Sequence, residues 1–435
     1  MNILILTTSN PYKAAGIVAL DLKKALNIKA EHQVKILTRS FDKYADDSIQ
    51  CIHTMSEEYF YWVINLLQRI VYKTMRILFN HSLSTKTDPN YYIQGADLTK
   101  DYYSTKKFIK KINTFRPDAI IVLFMPYFLT FKNLYELNKA TKAPILLYLM
   151  DMAPMTGGCH YAWDCKGYYN ACGRCPAMFS GVENDQSRKN WEYKKYYVDK
   201  TELTIIAGTE YQFRQLQKSS LFAQKQIAKV LLSVNPEIFK PGNKLEARKV
   251  FNLPVKKKII LFGAVYPGSK RKGFNELIET LHLLKNMAPD LELHLAIAGY
   301  PDKQLTINLP YGYTLLGYLG LEKLATAFQA ADLFLCSSIE DSGPMMINQA
   351  IMCGIPVVAF DMGVALDLVI TGETGYIAKK GDINDLAEGV NKVLALTESN
   401  FEDVNKKCRN LGLYLCSPEA QANMIFYLLN NNKHI

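Results

Sequence analysis

A chain of 435 residues, 49% apolar and 21% charged, is neither a disordered tail nor a small disulfide-held module, and it can bury the cores of two domains. Lys and Arg outnumber Asp and Glu by 51 to 41, and this net charge of +10 suits a phosphate-rich ligand or an anionic membrane face. Nine cysteines without a secretory leader argue against a disulfide scaffold, no run of about eighteen apolar residues offers a membrane span, and no basic helix or aromatic–glycine pattern points to nucleic acid. The start of the chain, MNILILTT, reads as a strand rather than a leader, so a cytoplasmic location is expected.

Apolar strand-like runs recur at residues 3–7, 34–37, 119–124, 145–149 and 203–207, and again at 258–263, 293–298, 314–316, 333–337, 357–360 and 376–378. Helical periodicity separates many of them, as at 17–26 and 274–287. Such alternation predicts an α/β fold of parallel sheets covered on both faces by helices. The first strand is followed by TSNPYKAAG, which ends in the single glycine Gly16 before a helix. An ordinary cap and a close backbone approach to a ligand are both open there.

Residues 59–79, YFYWVINLLQRIVYKTMRILF, are apolar and aromatic, with Arg69, Lys73 and Arg76 at helical intervals. They read either as a helix packed on the first domain or as an interfacial helix giving peripheral contact with an anionic membrane. Further on, Cys159, Cys165, Cys172 and Cys175 fall within seventeen residues spaced C-x5-C-x6-C-x2-C, with Gly157, Gly158, Gly167 and Gly173 for tight turns. Four thiols this close in a reduced compartment predict one structural zinc ion; free thiols, two local disulfides and an iron–sulfur cluster are the alternatives. A catalytic zinc is not expected, since four sulfurs leave no open position. Cys51, Cys336, Cys353, Cys408 and Cys416 are scattered and read as buried, inert side chains.

The strand–helix pattern breaks at 233–242, SVNPEIFKPG, where two prolines and a glycine intervene. Domains are therefore expected over 1–234, carrying the cysteine loop at 156–178, and over 235–415, with a last helix in 416–435. In the second half, FGAVYPGSKRKGF leads from a strand into a helix, and Lys270, Arg271 and Lys272 cluster at the helix start. Three cations beside a positive helix end favour an anion; a solvated basic loop is the plainer reading. SIEDSGPMMINQAIMCGIPVVAF at 338–360 reads as a strand end, an acidic turn, a short apolar helix and a buried strand. Asp341 or Ser342 is the expected cap and Gly354 the exit, which aims the helix N-terminus at the carboxyl edge of the sheet, a phosphate site.

This last segment resembles the donor-site signature of retaining glycosyltransferases of family 4, in which Glu, seven residues and a second Glu precede Ala-x-x-x-Gly-x-Pro-Val-Val-Ala. The tail matches at Ala350, Gly354 and Pro356–Ala359; the second Glu is Gln349 and the first falls on Asp341, with Glu340 alongside. The resemblance implies two Rossmann-like doubly wound domains facing across a cleft, the GT-B arrangement, with the last helix crossing back to the first domain. It further implies transfer of a hexose from a nucleotide-diphosphate sugar to a glycan or lipid-linked acceptor, with retention and with no cofactor required. Asp341, Glu340 and Asp151 would then be catalytic, and Gly16, Lys270, Arg271, Lys272, Gly343, Met345, Met346 and Gln349 would bind the donor. Many relatives have His-Asp-Met where this chain reads Met150-Asp151-Met152; His160 either compensates or serves its loop. A non-catalytic nucleotide-sugar-binding subunit, and a nucleotide-sugar epimerase of the same architecture, are the alternative functions.

Overall fold

The computed structural model describes residues 1–13, 16–28, 31–40, 46–53, 56, 57, 59, 63, 67, 87–93, 97–300 and 308–431. The chain forms two compact units: Met1–Ala207 with Gln215–Ala228 and the end from Tyr427, and Gly208–Arg214 with Lys229–Phe426. The division thus falls at 228/229, six residues before the boundary expected from the proline-rich passage, and a short excursion at Gly208–Arg214 belongs to the second unit.

The first sheet is built from β1 (Asn2–Thr7), β2 (Gln33–Thr38), β3 (Ile49–Cys51), β4 (Ala119–Val122), β5 (Ile145–Leu149), β6 (Leu203–Ala207) and β7 (Gln226–Lys229). Its order is β3-β2-β1-β4-β5-β6-β7, and the pairs from β3 through β6 run parallel. Every residue of β4, β5 and β6 is buried, which is why these strands read as unbroken apolar runs rather than alternating ones.

The second sheet contains β8 (Lys258–Gly263), β9 (Leu293–Ala298), β10 (Gly312–Gly317), β11 (Leu333–Cys336), β12 (Val357–Phe360) and β13 (Gly375–Ala378). It is parallel throughout, in the order β10-β9-β8-β11-β12-β13. Alternate residues serve its two faces. Ile259, Leu261, Phe334 and Val357 pack with Ile347, Ile351 and Cys408, from the helices Met345–Met352 and Glu398–Cys416. Ile260, Phe262, Leu335 and Val358 pack with Leu277, Leu281, Leu386 and Val390, from the helices Phe274–Met287 and Ile383–Leu394.

A buried ion pair fastens the sheet's amino-terminal edge. Arg248 Nη2 donates to Asp332 Oδ2 at 2.6 Å, its Nε and Nη1 donate to the carbonyls of Ala330 and Val255, and Asp332 also accepts from the Ile259 amide. In each sheet the strand order reverses once near the middle, between β1 and β4 and between β8 and β11. The crevice outside the carboxyl ends of strands at such a reversal is where doubly wound sheets hold ligands.

All the strands expected from apolar runs are present, with ends shifted by at most two residues. β3 and β7 were not expected: the first has three residues, and the second, Gln-Ile-Ala-Lys, carries one large apolar side chain. Among the described residues no helix is long and apolar enough to cross a membrane. Of the stretch 59–79 only Tyr59, Val63 and Leu67 are described, and Arg69, Lys73 and Arg76 lie outside the described residues.

Candidate functional site

The reversal in the second sheet sets two loops side by side. From β8 the chain passes through a turn closed by Ser269 N to Tyr266 O, a single 3-10 turn at Lys270–Lys272, and Gly273, before the helix Phe274–Met287. Gly273 has φ +68°, and a Cβ there would lie 1.7 Å from the Ser337 carbonyl oxygen, so only glycine fits. That close approach lets the Ser337 hydroxyl donate to the Gly273 carbonyl at 2.6 Å, while the amides of Ile339 and Glu340 donate to the Arg271 carbonyl at 2.9 and 3.3 Å. The basic turn is therefore stitched along its length to the loop leaving β11.

Asp341 stands at the centre of this junction. Its Oδ2 accepts from Arg271 Nη1 at 2.6 Å and from Lys272 Nζ, and its Oδ1 accepts from the Gly343 amide at 3.1 Å. Burial would raise its pKa, but the charges of Lys272 and Arg271 and these hydrogen bonds outweigh that and hold the carboxyl below its ordinary value. Lys270 is exposed, the outermost of the three cations.

The helix Met345–Met352 begins after Pro344, which occupies the cap position without a side-chain hydrogen bond. Neither Asp341 nor Ser342 caps it, contrary to the sequence expectation, because Asp341 is turned toward the cations and binds Gly343 instead. Gly343 therefore has no spare amide, whereas among the described residues the amides of Met345 and Met346 have no acceptor and remain at a positive helix end. The Met346 side chain lies over Gly263, where a Cβ would be 2.6 Å from its Cε. Gln349 is buried on the same helix. Ser342 Oγ is buried with no partner among the described residues, and the Ser342 carbonyl accepts from Thr209 Oγ1 at 2.9 Å.

Glu340 is buried and is met by Lys380 Nζ at 3.4 Å; the Lys380 amide donates to Asp361 Oδ1 at 2.7 Å. Burial would lower the Lys380 pKa, yet Tyr211 and Glu340 raise it overall. Burial and the Glu340 charge push the Tyr211 phenol up. Sequence reasoning missed Lys380 and Tyr211. The available signal was placement: Lys380 follows β13, the strand next to β12, where side chains reach the carboxyl edge of the sheet.

The remaining expected residues belong to the first unit. At Gly16 a Cβ would lie 1.9 Å from the Asn10 carbonyl, so this glycine serves the loop's close return on itself. Asp151 follows β5, is buried, accepts from the Ala153 amide at 2.8 Å and faces His160 Nδ1 at 2.9 Å. His160 is thus tied to Asp151. Asp151 also borders an apolar cavity with Leu123, Met125, Tyr127, Leu129 and Met150, at the carboxyl ends of β4 and β5.

The four loop cysteines are free thiols lining one small cavity. Burial pushes Cys159 up to about 12, Cys172 up to about 11 and Cys175 upward as well. Among the described residues no three His, Cys, Asp or Glu side chains already stand as a metal-binding group. Cys336, Cys353, Cys408 and Cys416 are buried as expected; Cys51, at the end of the short edge strand β3, is only half-buried.

Residues 243–410, the greater part of the second unit, match the family described as "Glycosyl transferases group 1". A D-inositol 3-phosphate glycosyltransferase of Mycolicibacterium smegmatis is 30% identical over 203 residues, 44% of this chain and 45% of that protein. One of Stackebrandtia nassauensis is 28% identical over 176 residues, 37% of this chain and 39% of that protein. The chain thus spans less than half the length of these curated relatives. Among solved structures, sucrose-phosphate synthase from Thermosynechococcus elongatus superposes with a TM-score of 0.67 at 18% identity over 99% of each chain. Anabaena HepE in complex with UDP and glucose gives 0.61 at 15% identity, over 99% of this chain and 100% of that one. At these identities the structural likenesses speak for the fold alone, which is of the GT-B type; the match over residues 243–410 supports a glycosyltransferase family.

Proposed function

We propose that the chain transfers a hexose from a nucleotide-diphosphate sugar to a hydroxyl of a glycan or lipid-linked acceptor, with retention of anomeric configuration. One observation carries the reading: within the matched stretch 243–410, a cationic turn and an unsatisfied helix N-terminus meet at the reversal between β8 and β11. A departing diphosphate needs its developing negative charge met by fixed donors, and Lys272, Arg271, Lys270 and the amides of Met345 and Met346 are such donors. Asp341 holds two of these cations in place before the ligand arrives and keeps the turn from repelling itself. Glu340, held by Lys380, is the carboxylate left to face positive charge on the sugar, and Gln349 offers an amide to the nucleoside hydroxyls. No metal is required for this division of labour.

The test is release of nucleoside diphosphate from a panel of UDP-, GDP- and ADP-hexoses, with cell lipid extract and oligosaccharides as acceptors. Acceptor-dependent release from one donor class supports the reading, and the anomeric configuration of the product tests retention. Donor binding without release under any acceptor would favour a non-catalytic nucleotide-sugar-binding subunit, the second reading, which draws on Gln349 standing where the resembled signature has a carboxylate. Neither binding nor release would remove both.

A further inference from the structure

The loop Gly157–Met178 lies outside everything the sugar-transfer reading uses, and it is built with unusual care. Its scaffold is the helix Gln186–Lys200 with its cap Asp185. The Cys175 amide donates to Asp185 Oδ2 at 2.8 Å, the Gly173 amide to Ser187 Oγ at 3.0 Å, and Asn190 Nδ2 to the Gly157 carbonyl at 2.9 Å. One turn further, the buried Lys194 ammonium donates to the carbonyls of Ala153 and Thr156 at 2.7 and 2.8 Å, fixing the loop's entrance. At Gly157 a Cβ would come within 2.6 Å of the Ser187 carbonyl oxygen on the scaffold, and at Gly173 within 2.2 Å of the Glu183 carbonyl oxygen just before it, so both contacts exclude any side chain.

This scaffold presents sulfur to a single place. Cys159, Cys165, Cys172 and Cys175 line one small cavity together with Thr156, Gly157 and Gly167. Cys172, Gly173 and Arg174 have φ of 55°, 96° and 46°, a consecutive left-handed run that folds the Cys-x-x-Cys segment into a tight knuckle. Non-glycine residues held there are strained and persist where the surroundings or a ligand fix them. Donors also converge on the sulfurs: the Gly157 amide on Cys172 Sγ at 3.2 Å and the Gly167 amide on Cys165 Sγ at 3.4 Å. A neutral thiol is a poor acceptor; an N–H aimed at sulfur is best satisfied by the thiolate of a metal–sulfur bond.

We propose that these four cysteines bind one zinc ion, which closes the loop as a structural staple. Four sulfur ligands match zinc's tetrahedral preference and leave no position for catalysis. Each thiol gives its proton to solvent as it ligates, and no oxidant is involved. No three of these side chains stand as a metal-binding group beforehand, so binding requires the four sulfurs to close on the cavity they share. The proposal stands apart from the sugar-transfer reading, and its test does not use activity.

Elemental analysis of the full chain, purified without chelator and again after dialysis against zinc, should find about one zinc per chain. Cobalt substitution should give the intense visible bands of a tetrahedral thiolate site. Titration with a mercurial should release the zinc in step with about four thiols, which makes the assignment even if Cys159→Ser/Cys175→Ser fails to fold. If that variant folds, it should lose the metal, while Cys51→Ser keeps it. Less than about a tenth of an equivalent after zinc dialysis, iron with sulfide in its place, or disulfides among these cysteines by peptide mapping would each overturn the proposal.

Discussion

Arg271 Nη1 donates to Asp341 Oδ2 at 2.6 Å, and Lys272 Nζ donates to the same oxygen, so one carboxylate holds both inner cations of the basic turn. The relationship joins two loops leaving strands adjacent in the sheet but some seventy residues apart in sequence. It also gives Asp341 a role different from simple proximity to sugar: it keeps two positive groups together in a buried place before any anion is present. A diphosphate would share those cations with Asp341 rather than find them unpartnered.

If Lys272 helps to carry the charge of a leaving diphosphate, Lys272→Ala should lower kcat/KM for the donor by roughly a hundredfold or more, in line with ~3–4 kcal/mol for losing one fixed donor to developing charge. The loss should fall mainly on kcat, and Lys272→Arg should recover part of it. Initial rates of nucleoside diphosphate release across donor concentrations measure this. A rate within a factor of two of wild type would remove Lys272 from the site.

Gly273→Ala tests whether the stitched loops matter. The substitution places a Cβ 1.7 Å from the Ser337 carbonyl at φ +68°, so the basic turn must shift away from the loop after β11. A loss of stability of at least ~1–3 kcal/mol is expected from backbone strain alone. Urea unfolding gives that figure, and donor-binding isotherms at temperatures where the variant is folded should show weakened affinity as well. Wild-type stability with unchanged affinity would mean the contact relaxes without consequence.

Much of this was legible in the sequence. Parallel strands buried on both faces read as apolar runs, so β4, β5, β8, β9 and β12 could be placed to within two residues; β7, Gln-Ile-Ala-Lys, could not, because an edge strand buries too little to leave a pattern. The basic turn and the short helix were visible as motifs. What escaped was their mutual contact: a capping role for Asp341 follows from local rules, whereas its true partners come from another loop and depend on tertiary placement. Lys380 escaped for the same reason, since Lys379-Lys380-Gly381 looks like any solvated turn until β13 is seen beside β12.

Arg248→Ala separates folding from function. It removes one of two cations paired with the buried Asp332, at the opposite edge of the sheet from the candidate site, and leaves that carboxylate only Lys244 Nζ, 2.8 Å from Oδ1, and the Ile259 amide. Leaving a buried charge with no partner costs ~3–5 kcal/mol, and Lys244 keeps part of that compensation here. Chemical denaturation should show a loss at or below the lower end of that range. Turnover per folded molecule should stay near wild type; a large drop would mean that the amino-terminal edge influences the site.

His53 offers a pH test within the first unit. Its Nε2 shares a 2.7 Å hydrogen bond with the Tyr103 hydroxyl, and the two rings meet edge to face at 5.0 Å. Burial lowers its pKa to about 4; the charges of Lys107, Arg39 and Lys111 act in the same direction, and Glu57 opposes them. The ordinary value near 6.5 belongs to the unfolded chain. Between about 6.5 and 4 the unfolded chain therefore binds a proton that the folded chain refuses, so acid favours unfolding in that window and stability rises with pH across it. In His53→Gln, which can still hydrogen-bond Tyr103 but does not titrate, this increment should be absent. Urea midpoints of both proteins from pH 4 to 7.5 test the point. The wild-type curve should fall more steeply than the variant's below about pH 6.5. Parallel curves through that window would show that His53 takes up its proton equally in both states.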